Sequence, residues 1–247
     1  MKYLRFILAV LEIAFTIAVA VVIFRDLLNI DLISPRNDNS QISPSASGNR
    51  LKEDFPMHKG VVVSVFWVGE GASFGNNFIS NSASAWDENW EEHFGGVDDP
   101  KNRSGFLPAD FAPKENPFYF ALPYNDFDQQ GSRKPQASSV VYWSDEKKWG
   151  EQESMCKNRW IKISKDGLSA YAQWEDVGPF GEDDANYVFG QANPSNTKKS
   201  EAGLDVSPAV KDYLGLSGID TINWQFVQDK DVPNGPWKQT VTTRNGN

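Results

Sequence analysis

Residues 159–177 read RWIKISKDGLSAYAQWEDV, and this stretch decides the fold class. Two runs of β-branched and aromatic residues flank the turn sequence Lys165-Asp166-Gly167, a pattern that is typical of a β-hairpin. In the second run, residues 169–177, side chains alternate between the two faces of the strand, so Tyr171 and Trp174 lie on opposite faces. The pattern predicts an antiparallel strand pair within a mainly β domain.

Further short strands are predicted on both sides of this hairpin. They cover residues 61–68, 117–122, 139–143 and 221–228. Before the last of them, Ser207 and Pro208 open a short helix that ends at Gly215. Short strands with one helix near the end indicate a small β-barrel, and the long irregular stretches between strands predict large loop insertions.

The N-terminus carries a long apolar run, residues 6–24, in which Glu12 is the one charged residue. At a rise of about 1.5 Å per residue this run is just long enough to cross a bilayer core. Lys2 and Arg5 precede the run, which favours a cytoplasmic N-terminus. The run predicts a transmembrane helix that precedes the barrel and anchors the protein in the membrane.

The sequence therefore divides into three predicted parts. Residues 1–31 are a signal anchor, residues 32–60 are a Ser-, Pro- and Asn-rich flexible linker, and residues 61–247 have the size of one domain. A cleaved signal peptide, with Ala18-Val19-Ala20 as its cleavage motif, and a buried core helix are the alternatives to the anchor. A signal anchor places the domain on the extracytoplasmic side, in the cell envelope.

Composition excludes several classes of function. With 24 basic and 33 acidic residues the net charge is −9, which disfavours nucleic acid as a partner. Cys156 is the only cysteine, so neither an intramolecular disulfide nor a thiolate-rich metal site is expected. The acidic clusters lack the spacing of a calcium-binding loop. No metal and no cofactor are predicted.

Five segments stand out in their order along the chain. They are Phe66-Trp67-Val68-Gly69-Glu70, Trp174-Glu175-Asp176-Val177-Gly178-Pro179-Phe180, Gly203-Leu204-Asp205-Val206-Ser207-Pro208-Ala209, Leu214-Gly215 and Trp224-Gln225-Phe226-Val227. Taken together, they resemble the double-psi β-barrel family that includes rare lipoprotein A, expansins and barwin-like proteins. The resemblance runs from about residue 157 to 236 and touches residues 61–70. It implies a six-stranded double-psi barrel in which residues 71–138 are an insertion.

The resemblance implies a function on glycans, because rare lipoprotein A-like proteins are lytic transglycosylases and expansins loosen wall polysaccharide. By position, Asp176 and Asp205 match the two aspartates of the family's motifs. Cleavage of a glycosidic bond needs a carboxyl group that protonates the leaving oxygen, and often a second group that assists. A structural role stays open for both, since aspartates beside turns and helix starts commonly accept backbone N–H bonds.

The chain departs from the family pattern at a second catalytic group. In the rare lipoprotein A-like enzymes, an Ala-Ala-His segment supplies this group. The nearest match, residues 120–126, has no histidine, and we expect Asp126 or Tyr124 to substitute because both handle protons. The two histidines of the chain, His58 and His93, fall in the predicted linker and insertion.

Aromatic side chains are the candidates for binding the substrate. Trp67, Trp174 and Phe180 adjoin the motif residues, and aromatic rings stack on the apolar faces of sugar rings. The sequence thus predicts a membrane-anchored protein that acts on or binds cell-wall polysaccharide. A lytic transglycosylase is the specific activity that this prediction includes. The alternatives are a non-catalytic, expansin-like glycan-binding module and an envelope scaffold whose insertion, residues 71–138, docks a protein partner.

Overall fold

Six β-strands close into a barrel in the computed structural model of the chain, which describes residues 55–198 and 201–245. The strands are β1 His58–Val65, β2 Arg103–Ser104, β3 Leu107–Pro108, β4 Tyr119–Leu122, β5 Trp160–Lys165, β6 Leu168–Val177, β7 Leu204–Val206 and β8 Asp220–Val227. Around the barrel their order is β1-β7-β4-β6-β5-β8, while β2 and β3 form a separate pair. The α-helices are α1 Trp90–Phe94, α2 Ala137–Val140, α3 Ala185–Val188 and α4 Pro208–Leu214.

Two of the six neighbouring strand pairs in the barrel are parallel. β1 runs parallel to β7, and β4 runs parallel to β6, while the other neighbours are antiparallel. Parallel neighbours need a crossover connection, which is why long segments of chain join these strands. Those connections hold the irregular stretches seen in the sequence.

The predicted hairpin is confirmed as β5 and β6. Their register runs from Trp160 opposite Gln173 to Lys165 opposite Leu168, which leaves a two-residue turn. The turn residues Asp166 and Gly167 both have positive φ, 49° and 83°, as the favoured hairpin turns require.

Aromatic side chains fill the barrel. Trp174 is fully buried, with ring centroids 5.7 to 5.9 Å from those of Trp86, Phe120 and Phe226. Aromatic rings at such separations attract one another beyond the simple burial of their area. The interior of the barrel is therefore packed with aromatic side chains.

Helix α4 begins and ends where the sequence predicts. The Ser207 hydroxyl accepts a hydrogen bond from the backbone N–H of Val210 at 3.3 Å, and Pro208 occupies the first turn. Gly215 ends the helix with a φ of 64°.

Replacing Ser207 by alanine tests this cap. The Ser207→Ala variant is expected to lose about 1 kcal/mol of unfolding free energy, because the buried N–H groups of Val210 and Tyr119, which both donate to this hydroxyl at 3.3 Å, lose that acceptor. Urea denaturation measures the change. The Ser217→Ala variant, at an exposed loop residue, is the control, and an equal loss in both variants would contradict the capping role.

The fold prediction does not hold as stated, because it combined the barrel with one short helix and a transmembrane helix. The described residues contain four short α-helices, and no helix among them is long and apolar enough to cross a membrane. The predicted anchor and most of the predicted linker, up to residue 54, lie outside the described residues. What holds is coarser: the protein is mainly β, with a closed six-stranded barrel and few helices.

The barrel begins earlier than predicted, within the segment interpreted as a linker. β1 starts at His58, whose ring stacks on Trp224 at 4.0 Å with an interplanar angle of 11°. Burial lowers the pKa of His58 to about 4. The residues around His58 are polar and gave no strand pattern. His58 is buried by contact with Trp224 of β8, which is distant in sequence.

The predicted insertion at residues 71–138 also needs correction. β4 lies inside it, and this strand pairs with both β6 and β7 in the barrel wall. Conversely, the predicted strand at residues 139–143 is the end of α2 and a turn. Two long loops therefore flank β4, instead of one insertion that interrupts the barrel.

Candidate functional site

Four residues on four adjacent strands form one row across the barrel wall. Asp176 of β6 and Asp205 of β7 both stand opposite Ala121 of β4, one on each side. Asp205 stands opposite Ser64 of β1 in turn. Adjacent strands lie about 4.8 Å apart, so the Cα atoms of the two aspartates are roughly 9 to 10 Å apart, with only an alanine between them. We call Asp176, Ala121, Asp205 and Ser64 the carboxylate row.

The carboxylate row lies on the outer face of the barrel. In β4, Phe120 and Leu122 on either side of Ala121 belong to the interior core, and in β7 the same holds for Leu204 and Val206. Since successive side chains of a strand point to opposite faces, Ala121 and Asp205 point outward.

A β-bulge brings Asp176 into the row. Trp174 stands opposite Phe120, but Asp176 stands opposite the next residue, Ala121, so Glu175 has no partner of its own on β4. In a regular ladder Glu175 would face Ala121, and Asp176 would follow Trp174 into the barrel. The extra residue thus re-aims one side chain, as bulges beside functional sites commonly do.

Hydrogen bonds from the backbone hold one oxygen of the Asp176 carboxyl group. Its Oδ1 accepts hydrogen bonds from the backbone N–H groups of Ala85 and Val177, each at 2.8 Å. Burial raises the pKa of Asp176 to about 7; these two hydrogen bonds and the Lys157 charge lower it, while Asp205 raises it further. Near neutral pH a large fraction of Asp176 therefore carries a proton.

This raised pKa makes stability depend on pH. A carboxyl group whose pKa is higher in the folded state stabilises the fold fully below its unfolded pKa, and that contribution is lost as pH rises through about 7. An asparagine does not titrate, so the Asp176→Asn variant should gain on the wild type between about pH 4 and 7, by on the order of 2 kcal/mol. Urea denaturation at several pH values measures this difference. A difference that stays constant with pH would contradict the raised pKa.

Asp205 is held from the neighbouring strand. The Ser64 hydroxyl donates a hydrogen bond to its Oδ1. On the other side, Gly178 lies so close that a Cβ atom there would be 3.6 Å from Asp205 Oδ2 and 3.8 Å from Cβ of Ala121. A glycine at this place keeps the space beside the carboxylate open.

The carboxylate row lines a cleft of about 360 Å³. This volume lies within the range of small-molecule sites, roughly 300 to 1,000 Å³. The other walls come from the loop after β1 and the loops around β6 and β8, with Glu70, Ile79, Asn81, Pro179, Phe180 and Ile219. Asn81 braces the first of these loops, since its Nδ2 donates to Glu70 Oε2 at 3.0 Å.

Asp126, predicted as a substitute catalytic group, does not line this cleft. It is fully buried and accepts hydrogen bonds from the Ser154 hydroxyl at 2.6 Å, the N–H of Met155 at 2.8 Å and Arg133 at 3.3 Å. These contacts tie two loops together. The geometry therefore gives Asp126 a structural role.

Tyr124, the other predicted substitute, is also away from the cleft. Its ring packs edge-on against Phe189 at 5.0 Å, and its hydroxyl is buried without a hydrogen-bond partner in the part of the chain that the structure describes. Burial raises the pKa of Tyr124, which makes its proton harder to release. The structure brings neither Tyr124 nor Asp126 to the two predicted aspartates.

Of the three aromatic residues predicted to bind the substrate, one lines the cleft. Trp174 cannot stack on a sugar, because its alternation in β6 places it inside the barrel, fully buried. Trp67 is half-buried and lies outside the set of residues that line the cleft. Phe180 does line the cleft, and so does Phe66, which the sequence analysis did not single out.

Ser64 and Ala85 complete the site, but they were not among the residues predicted from the sequence. A signal for Ser64 existed, because it is the one polar residue in the apolar run at 61–68. Ala85 carried none, since it contributes only a backbone N–H from a loop distant in sequence.

The arrangement supports proton transfer in a cleft. One carboxyl, Asp176, has a pKa near the pH at which a general acid works best, and a second, Asp205, stands nearby under different contacts. Among residues 55–198 and 201–245 no three His, Cys, Asp or Glu side chains come together as a metal site would need.

Comparison with known proteins gives a weak structural likeness. No family model and no curated protein matches the chain. Among solved structures, the chain is similar to the "Streptomyces papain inhibitor (SPI)", at 13% sequence identity and a TM-score of 0.30. The alignment covers 71% of this chain and 97% of that one. Similarity at this level carries no argument about what the chain does.

Proposed function

We propose that the protein acts on cell-wall polysaccharide as a lytic transglycosylase, with Asp176 as its general acid and base. The observation that carries this proposal is a buried carboxyl with a pKa of about 7 on the wall of an open cleft. Buried carboxyl groups of this kind, in a cleft and beside a second carboxylate, are typical of acid–base sites.

The contacts of Asp176 suit a proton donor. Because the two backbone N–H groups bind Oδ1, Oδ2 is the oxygen on which the proton sits and from which it leaves. In the proposed reaction this proton goes to the glycosidic oxygen as the bond to the anomeric carbon breaks. A hydroxyl of the same sugar then bonds to that carbon, and its proton returns to Asp176. The products are an anhydro sugar and a glycan end with a new hydroxyl.

Asp205 has a supporting role in this proposal. The hydrogen bond from Ser64 fixes its carboxylate beside the anomeric carbon, where positive charge develops in the transition state. A neighbouring carboxylate also keeps the proton on Asp176, since two negative charges in one cleft repel each other.

The barrel topology supports membership of the double-psi β-barrel family, which we propose on that ground. The two parallel pairs, β1 with β7 and β4 with β6, interlock within one closed six-stranded barrel. The motif aspartates Asp176 and Asp205 stand on the second strand of each pair. With a peptidoglycan substrate, the domain would work outside the cytoplasm.

A non-catalytic, expansin-like glycan-binding module is the second candidate. The chain has no histidine at residues 120–126, and the structure brings neither Asp126 nor Tyr124 to the cleft in its place. The cleft by itself suits binding, because Phe66, Phe180 and Asn81 offer apolar and polar contacts to a sugar.

Incubation of the full chain with purified peptidoglycan separates these functions. Release of anhydro-muropeptides, identified by mass spectrometry, is the result expected of a lytic transglycosylase. Co-sedimentation with insoluble wall material without release would leave the glycan-binding module. If neither release nor binding occurs, both proposals are wrong and an envelope scaffold becomes the favoured function. The exposed side chains of Phe74, Phe78 and Ile79 would then offer a contact surface for a protein partner.

A further inference from the structure

A second pocket lies apart from the carboxylate row, between α1, residues 114–115 and residues 241–244. Its volume is about 240 Å³, so it suits a small ligand or one functional group of a larger ligand. The polar side chains that line it are Glu92, His93, Lys114, Glu115, Thr243 and Arg244. We call it the Glu115 pocket.

Glu115 is the unusual residue of this pocket. It is only 5% exposed, and both of its carboxylate oxygens are buried without a hydrogen bond from any described residue. The nearest cation is Arg244, whose Nε lies 3.5 Å from Oε1 without hydrogen-bond geometry. A buried carboxylate without donors is costly, so this site lacks a hydrogen-bond donor that a ligand can supply.

His93 lines the same pocket. Its Nδ1 lies 2.8 and 2.7 Å from the two oxygens of Asp87, which is itself fixed by the N–H of Asn89 at 3.0 Å. A carboxylate only accepts, so Nδ1 carries a proton, and Nε2 is the ring nitrogen that is left for a ligand. The imidazole is therefore oriented by a buried partner, with a quarter of its side chain exposed.

The charges around Glu115 do not balance. Lys157 and Glu175 neutralise each other in a buried ion pair. Asp87 and Glu115, in contrast, share a single guanidinium, because Arg244 lies 3.8 Å from one and 3.5 Å from the other. The pocket lining adds one charge of each sign, Glu92 and Lys114, so the carboxylates still outnumber the Lys and Arg cations by one. This excess favours a positively charged ligand. Burial raises the pKa of Glu115, while the charge of Lys157 lowers it.

We propose that the Glu115 pocket binds the primary ammonium group of a ligand, through Glu115 and His93. An ammonium group has three N–H donors; the two oxygens of Glu115 accept two of them, and Nε2 of His93 accepts the third when the ring holds its one proton on Nδ1. It also supplies the missing positive charge. A metal ion is a poorer match, since the described residues hold no group of three metal-ligating side chains.

Calorimetric titration of the full chain with two ammonium compounds tests the proposal. D-glucosamine represents an amino sugar, and Nα-acetyl-lysine amide represents the side chain of a peptide lysine. Each is paired with its N-acetylated counterpart, which keeps the shape but lacks the ammonium group. The stronger binder of the two identifies the source of the ligand. NMR of the His93 imidazole nitrogens follows the same titrations in the wild type, and so places the ligand without a variant.

We expect at least one ammonium compound to bind and to shift the His93 Nε2 signal, with affinity at least about tenfold above its acetylated counterpart. The Glu115→Gln variant should lose about tenfold in affinity, whereas Glu151→Gln, at an exposed residue away from the pocket, should change it by less than about twofold. The proposal is overturned if neither compound binds at tens of millimolar, if acetylation makes no difference, or if folded Glu115→Gln binds as the wild type does.

Discussion

The Asp176→Asn variant is expected to release anhydro-muropeptides from peptidoglycan about 10²- to 10⁴-fold more slowly than the wild type. An amide cannot donate the proton that the leaving oxygen needs, yet its carbonyl oxygen still accepts the N–H groups of Ala85 and Val177. The variant should therefore keep the geometry of the site and lose its ability to donate a proton. Initial rates of muropeptide release, followed by mass spectrometry, measure the effect.

Two further variants sharpen this test. Asp205→Asn should slow release less than Asp176→Asn, because in the proposed reaction Asp205 stabilises charge without donating the proton. Asp166→Asn, in the exposed hairpin turn where asparagine fits the positive φ, should release at the wild-type rate. Equal rates in the wild type and Asp176→Asn would remove Asp176 from the reaction. In the wild type, the acid step should weaken as pH rises through about 7.

The second large effect is expected at the buried ion pair of Lys157 and Glu175. Both side chains are almost wholly inaccessible, so the Lys157→Met variant leaves a carboxylate buried without its cation. Breaking such a pair from one side typically costs about 3 to 5 kcal/mol of unfolding free energy. Urea denaturation at pH 8 measures this loss.

The pH dependence and a double variant identify the cause. Burial raises the pKa of Glu175 to about 7, and without Lys157 this carboxyl takes up a proton more readily still, so the loss should shrink toward pH 5. The Lys157→Met/Glu175→Gln variant should recover much of the stability, because neither side chain of the pair then carries a buried charge. Lys148→Met, at an exposed lysine, is the control. A loss below about 1 kcal/mol at pH 8 would show that water reaches the pair.

Local patterns in the sequence predicted the elements that depend on neighbouring residues alone. The hairpin of β5 and β6 followed from its turn, and α4 followed from its cap at Ser207. The central place of β4 was not predictable in this way, because its residues are all buried and show no alternation. Such a run reads equally as a strand of the barrel or as part of an insertion.

The site was predictable only in part for a related reason. Asp176 and Asp205 were found through motifs, and the structure does bring them to one cleft. Trp174, two residues before Asp176, was placed in the same cleft by sequence proximity and lies inside the barrel instead. The bulge at Glu175 separates the two side chains, and it exists only through the pairing with β4. No local pattern in β6 encodes it.

That bulge has a consequence for what a one-residue deletion in β6 costs. Deletion of a residue within a regular strand turns the side chains beyond it to the opposite face. Glu175 is the extra residue of the bulge, so its deletion would place Asp176 directly after Trp174 and opposite Ala121, still on the outer face, and would leave the upstream ladder to β5 intact. The deletion would instead leave Lys157 buried without the carboxylate that neutralises it, so its cost falls on the stability of the fold and not on the position of the acid.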